Sequence, residues 1–508
     1  EQREVPIPEP GGGEVVIVTS ESPRHLNPTV QSGVATGVPG AQLFAAPLRV
    51  DENWQPQPYL AESWAWSEDG LSLTLNLVRN AGFHDGVPVT SADVAFSIMS
   101  VKANHPFQTM FGPVESVDTP DEHTAVIRLS QPHPALLLAL TGPLAAIIPQ
   151  HVYGDGQDLP THPANNAPVG SGPFRLVSYA PGEQLVLERF DDFFLEGRPY
   201  LDRIVYQIVR DAASVALSLE AGEADIGVTT DPTAISRLSR VAGPPRAPRG
   251  FEGIGRIQWI ALNTRQAPLD DIRVRQAIAH VVDRDFVLNG LLRGVALNQR
   301  GPIIESSPFF DPDIPVFELD IARANALLDE AGHPRGADGT RFTLVMDTIP
   351  GRDSAMGNIP EYLRSQLREA GITLELRASP DFPTWAGRLA SGEFQMSMDF
   401  VFNWGDPVIG VHRTYLSSNI RPVIWSNTQG YANPRVDELL AAAGRELDIP
   451  ARTVLYREFQ QIVGAELPVI WLNAMPYHHV FDDRLDNLPL TIWGLMQAMD
   501  ELYWTEDR

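Results

Sequence analysis

Apolar and polar positions alternate between Leu71 and Leu77. Leu71, Leu73, Leu75 and Leu77 share one face, and Ser72, Thr74 and Asn76 the other, which predicts a half-buried strand. Asp69-Gly70 and Asp85-Gly86 supply turn chemistry on either side. Thr90 and Asp93 then stand at capping-box spacing, with Asp for the usual Glu, before a helix carrying Val94, Ala95 and Ile98. Near the start of the chain, the β-branched run Glu14–Thr19 predicts a strand, and the turn-rich Ser20–Pro28 a loop directly after it. Leu185–Arg189 and Ile204–Val209 read as strands, and Ala213–Ala221 as a short helix stopped by Gly222.

Beyond residue 250 the elements alternate. Arg256–Asn263 is a strand and Asp270–Ile278 opens a helix. Ile321–Ala331 is a helix stopped by Gly332, Phe342–Met346 a strand, Ile359–Ala370 a helix stopped by Gly371, and Ile372–Leu376 a strand. Phe382–Ala390 is a helix, and Phe394, Met396, Met398 and Phe400 alternate along a further strand. That parity puts Asp399 off the apolar face, solvated or paired at a hinge. Strands alternating with helices predict an α/β lobe with a mostly parallel sheet. Gly243–Gly250 (GPPRAPRG) is the best linker candidate, and residues 1–13 read as a flexible lead.

At 508 residues the chain exceeds what one core supports, so two or three domains are expected. The net charge of -26 argues against nucleic acid and against docking on anionic lipid; solubility is the simpler reading. Without cysteine there is no disulfide framework, thiolate metal site or cysteine nucleophile. The most apolar run, Ala135–Ile148, is broken by Gly142-Pro143 and is too short to span a bilayer. The opening EQREVPIPEPGGG is read as a mature terminus from which a signal peptide has been removed.

The stretch Leu60–Ser97 (LAESWAWSEDGLSLTLNLVRNAGFHDGVPVTSADVAFS) resembles the signature of the solute-binding proteins of peptide/nickel-class ABC importers, family 5. Leu77 and Phe83-His84-Asp85-Gly86 match in register; the family's Arg is displaced by one, with Val78 in its place and Arg79 after it. Ser20–Pro28 resembles the family's first loop, with Asn27 for the usual Asp, and Pro168–Phe174 (PVGSGPF) its PVGTGPF segment. A nucleophile elbow at Ser171 is excluded, since Val169 and Pro173 occupy the required glycine positions. The resemblance implies an α/β periplasmic binding protein type II-like (cluster C) fold. Two large α/β lobes would be joined by a hinge, with an extra smaller α+β domain. Residues 1–44, 165–250 and 483–508 would form a discontinuous lobe I, 45–164 its extra domain, and 251–482 lobe II. It also implies a monomeric, exported receptor, periplasmic or extracellular and membrane-associated. This receptor would pass a small-molecule or peptide ligand to an ABC permease at the inner membrane, with no catalytic residue, metal or cofactor.

Ligands of α/β lobes lie at the carboxyl ends of strands. Three loops qualify: Ser20–Asn27, with Ser22 and His25; Thr348–Ser354, with Arg352; and Asn403–Arg413. The third carries Asn403, Trp404, Asp406 and Arg413 and corresponds to the family's ligand-contacting WxxDxxDP-like segment. Asn403 stands where peptide binders commonly keep an acid for the α-ammonium, and a neutral amide offers roughly half of a charged hydrogen bond. Either Asp406 takes an ammonium or the ligand lacks one there. Arg352 lies near the position of the family's carboxylate-binding arginine, and a bidentate guanidinium suits that group. A dipeptide or short oligopeptide is the default solute; an oligosaccharide, an opine-like conjugate or a metal chelate is the alternative. A hydrolase using Asp399 and Asp406 is the rival class. His84 is expected to brace its hairpin, and the adjacent His478-His479 lacks the spacing of a zinc helix.

Overall fold

In the computed structural model, which describes residues 12–241, 250–350 and 354–505, the chain divides into two compact units. Unit 1 takes in the chain up to Thr229, Arg237–Glu252, and Tyr477 onward; unit 2 takes in Thr230–Ser236 and Gly253–Pro476. Most of the expected lead and linker, and Arg352, lie outside the described residues.

Unit 1 opens with β1 (Glu14–Thr19) and α1 (Val34–Leu43). β2 (Ala61–Trp66) and β3 (Ser72–Leu77) form a hairpin, followed by α2 (Ser91–Asn104), β4 (Val114–Asp121) and β5 (Thr124–Leu129). These four strands make an antiparallel sheet in the order β2-β3-β5-β4. Leu73, Leu75 and Leu77 are buried on one face of β3. Leu71 falls outside the strand and is 37% exposed, because its neighbour Gly70 still belongs to the turn. The capping box forms: the Thr90 backbone N–H donates to Asp93 Oδ2 at 2.9 Å.

The chain then adds β6 (Phe174–Ala180), β7 (Gln184–Arg189), β8 (Arg203–Ile208), α3 (Ala212–Glu220) and β9 (Ile226–Thr229). β1 lies between β8 and β9 and is parallel to both. Its period of two buries both faces. Val18 packs with Val215 of α3 and Ala224 on one face, while Ile17 and Thr19 share the other with Tyr206 and Ile208 of β8, their register partners.

Unit 2 contains β10 (Arg256–Leu262), α4 (Ile272–His280), β11 (Leu297–Asn298), α5 (Ile321–Glu330), β12 (Phe342–Thr348), α6 (Ser354–Glu369), β13 (Ile372–Ala378), α7 (Phe382–Ser391), β14 (Met396–Phe402), α8 (Pro434–Ala443), α9 (Ile449–Glu466) and β15 (Val469–Ala474). β16 (His478–Phe481) returns to unit 1 and pairs antiparallel with β9, completing a sheet ordered β16-β9-β1-β8-β7-β6.

The unit 2 sheet, ordered β11-β15-β10-β14-β12-β13, is mixed and not mostly parallel. β12 is parallel to β13 and β14, whereas β10 is antiparallel to both β14 and β15. Helical crossovers fix direction only between the strands that they place side by side. β14 lies between β10 and β12, so Met396 to Val401 are buried on both faces. Asp399, expected off the apolar face, is therefore 2% exposed. Strand alternation cannot report burial when helices or loops cover both sides of a sheet.

Candidate functional site

The corner after β14 is built by backbone first. The N–H groups of Asn403, Trp404 and Gly405 donate to the carbonyls of Gly255, Ile254 and Gly253 at 3.1, 3.1 and 2.5 Å. Trp404 takes a left-handed φ of +48° and Gly405 follows at +79°. Left-handed backbone is unfavourable for a tryptophan and is held here by neighbouring bonds. Trp404 is 4% exposed, with its ring 6.3 Å from that of Phe402. Gly410 packs so close to the corner that a β-carbon there would sit 2.0 Å from the Asn403 carbonyl oxygen.

Asn403 spends both ends of its amide inside unit 2. Its Oδ1 accepts from the Ile304 N–H at 2.9 Å, and its Nδ2 donates to the Pro302 carbonyl at 3.0 Å. Asp406 caps the short Pro407–Gly410 helix, accepting from the Val408 N–H at 2.9 Å. Its two oxygens also receive Nη1 and Nη2 of Arg452, each at 2.6 Å. Burial alone would raise the Asp406 pKa, but the Arg452 charge and its hydrogen bonds hold it below the ordinary value. Arg452 also donates to the Ala443 carbonyl and to the Tyr456 hydroxyl. Burial pushes His412, whose Nε2 is 2.8 Å from Tyr456 Oη, down to about 3. The Asn403 amide and the Asp406 carboxylate, read from the sequence as ligand groups, thus have partners within their own unit.

Arg413 folds back on the corner, donating to the Gly410 and Phe402 carbonyls at 3.3 and 3.4 Å. Burial lowers its pKa to about 10. Asn403, Trp404, Asp406 and Arg413 are brought together. Ser22 and His25 belong to unit 1, where Ser22 is exposed and His25 Nδ1 accepts from the Asn27 N–H at 3.2 Å. Arg352 lies outside the described residues.

Asp399 is not solvated. Its Oδ1 accepts from Trp259 Nε1, and its Oδ2 lies 2.9 Å from Ser397 Oγ. Burial raises its pKa to about 7, against those hydrogen bonds. His84 braces its hairpin against the Pro168–Phe174 segment. Its Nε2 lies 3.0 Å from the Gly172 carbonyl oxygen, and its Nδ1 accepts from the Gly170 N–H at 3.3 Å. Among the described residues no cluster of His, Asp and Glu is placed to hold a metal ion, and no helix is long and apolar enough to cross a membrane.

Residues 55–421 match the profile of bacterial extracellular solute-binding proteins, family 5. The chain belongs to this family. Glutathione-binding protein GsiB of Salmonella choleraesuis is 27% identical over 467 residues, covering 89% of this chain and 86% of the relative. Heme-binding protein A of Haemophilus influenzae is 28% identical over 486 residues, covering 90% and 86%. The structure of the oligopeptide-binding protein AppA from Bacillus subtilis, in complex with a nonapeptide, superposes with a TM-score of 0.81 at 22% identity, covering 98% of this chain and all of AppA. Such likeness shows the fold, the two-lobed type II-like fold of periplasmic binding proteins.

For a family 5 protein, the sequence reading missed Arg452 and Trp259, which fix the acids it singled out. A signal for Arg452 existed. It shares a helical face with Tyr456, Phe459 and Val463, all fully buried, and a cation on a core stripe needs an anionic partner.

Proposed function

We propose that this chain is the solute-binding component of an ABC importer, taking a dipeptide, a short oligopeptide or a peptide-like compound and handing it to a membrane permease. The observation that carries this reading is the family match over residues 55–421. Support for the solute class comes from the relatives: one is named for glutathione, itself a tripeptide, and AppA holds a nonapeptide. Residues 1–44, 165–250 and 483–508 act as lobe I, 45–164 as its extra domain, and 251–482 as lobe II. The protein works as an exported monomer, periplasmic or extracellular and membrane-associated.

Trp404 is the aromatic contact, supported by its strained backbone at the carboxyl end of a central strand. Arg413 and Arg352 serve anionic groups, and Ser22 and His25 contribute from the loop after β1. Asn403 and Asp406 hold the corner in shape. With the Asp406 carboxylate on Arg452, this corner offers no open acid to an α-ammonium, so the solute is gripped by other groups. Asp399 and Asp406, the acids a hydrolase would use, are 2% and 6% exposed and already hydrogen-bonded, which favours a receptor over a hydrolase built on them.

Thermal unfolding with a panel of dipeptides and glutathione tests the reading. A solute at a hundred times its dissociation constant stabilises the native state by roughly 2.7 kcal/mol. A clear rise in melting temperature with a peptide recovered intact supports it; cleavage of the peptide contradicts it.

A further inference from the structure

Unit 1 contains a cavity of about 30 Å³ between its six-stranded sheet and α1, room for roughly a few heavy atoms. Ile17, Tyr206 and Val228 line it from the sheet, and Val34 and Val38 from the helix. The register explains the shared face: Ile17 is the partner of Tyr206, and Thr19 of both Ile208 and Val228. Ile17 is 1% exposed, whereas Thr19 and Glu21, which also line the cavity, are half-buried. The cavity therefore opens at the carboxyl end of β1, where β8, β1 and β9 run parallel, the edge at which open α/β sheets take their ligands.

One polar group in this apolar lining has no partner. Tyr206 is 4% exposed, and its hydroxyl makes no hydrogen bond among the described residues. A buried hydroxyl without a partner costs of the order of 1–3 kcal/mol, and buried polar groups in native proteins are nearly always satisfied. Thr19 and Glu21, the polar side chains of the lining, stand half-buried at the mouth and neither bonds to this hydroxyl, so an acceptor on an occupant would satisfy it. The Glu21 carboxylate at the mouth repels an anionic occupant, and the aliphatic walls beyond it give a buried ion no counter-charge.

We infer that this cavity is a specificity pocket for a short aliphatic group of the solute that carries one hydrogen-bond acceptor, an ether or thioether, which takes the Tyr206 hydroxyl proton. The inference rests on the solute-binding reading above and narrows it: preferred solutes carry a methionine-like chain and not a bare alkyl or charged one. The aliphatic walls supply affinity through apolar burial, and Tyr206 supplies the distinction between an acceptor-bearing chain and its hydrocarbon isostere.

Isothermal titration of the full chain with Ala-X and X-Ala dipeptides tests this, where X is alanine, norleucine, methionine or O-methylhomoserine. The last three share one shape and differ only in CH₂, S or O. Norleucine is expected to bind about 10-fold or more tighter than alanine at one of the two positions, given what each methylene in a fitted pocket contributes. The ether or thioether is expected to add roughly 2- to 10-fold, the range of one neutral hydrogen bond. Tyr206→Phe keeps the ring and is expected to erase only the second preference. Ala35→Leu fills the mouth from a half-buried helix position and is expected to erase the first while alanine dipeptides still bind. Equal affinity across the panel, or preferences that both variants leave unchanged, overturns the pocket. Failure of every dipeptide to bind overturns the peptide reading instead. The pocket is then decided by a crystal soaked in ethyl methyl ether: the ether in the cavity within hydrogen-bond distance of Tyr206 Oη supports it, and water or nothing there overturns it.

Discussion

Arg452 grips Asp406 through two parallel hydrogen bonds of 2.6 Å, with the two side chains 3% and 7% exposed. The pair joins the corner after β14 to a helix 46 residues further along the chain. The guanidinium also lies 4.7 Å from the ring centre of Phe309. A cation and an anion withdrawn from water together are tolerated only because each satisfies the other.

Removing one partner leaves the other charge buried. Asp406→Ala is expected to destabilise the protein by about 3–5 kcal/mol, read as a lower urea midpoint. Replacing both Asp406 and Arg452 by leucine is expected to cost less than the sum of the single changes, since it strands no charge. Full additivity would show that the pair is not coupled.

Asn403→Asp places a second acid at the corner, yet it removes the donor that Asn403 gives to the Pro302 carbonyl. A carboxylate cannot donate there and would face a carbonyl oxygen. The expected outcome is a loss of roughly 1–3 kcal/mol in urea unfolding, with no gain in affinity for free dipeptides.

Because the Asn403–Asp406 corner offers no open carboxylate, blocking the α-ammonium of a solute is expected to change little. An N-acetyl dipeptide is expected to bind within about threefold of its free counterpart by calorimetry. Loss of a charge-assisted hydrogen bond would instead cost roughly 1.5–3 kcal/mol, or more than tenfold; that result would place an unrecognised acid at the solute's amino end.

The fold was legible where periodicity and caps agree. The Ser72–Leu77 strand, the Thr90 cap and the α/β alternation of unit 2 follow from spacing alone. The family was legible because Phe83-His84-Asp85-Gly86 and Pro168–Phe174 are tied together by His84, so both phrases belong to one structural device. What failed was burial on a covered strand, as at Asp399, and the partners of polar corner residues. Asn403 meets Pro302 and Ile304, and Asp406 meets Arg452, across gaps of 46 to 101 residues. Local pattern carries no information about such pairings.

Asp399 and the buried histidines bend the pH dependence of stability in opposite directions. Asp399 has its folded pKa raised from 3.8 to about 7. Its contribution is fully present below about pH 3.8 and is lost as pH rises through 7, by about 4 kcal/mol at most. His84 is lowered by burial from 6.5 to about 4, so its contribution is lost as pH falls from 6.5 to 4. Asp399→Asn keeps an acceptor for Trp259 and a donor for Ser397 while removing the titration. The variant is expected to match the wild type near pH 4 and to exceed it at pH 8 in urea unfolding. Equal stability at pH 8 would show that Asp399 ionises without cost.

Mass spectrometry of the natively purified protein, followed by analysis of what denaturation releases, tests the solute-binding account most directly. The account predicts one bound molecule per chain, a peptide or peptide-like compound that is released intact and raises the melting temperature when added back. A protein that releases no such molecule and that no dipeptide stabilises, or one that cleaves the peptides offered to it, would contradict it.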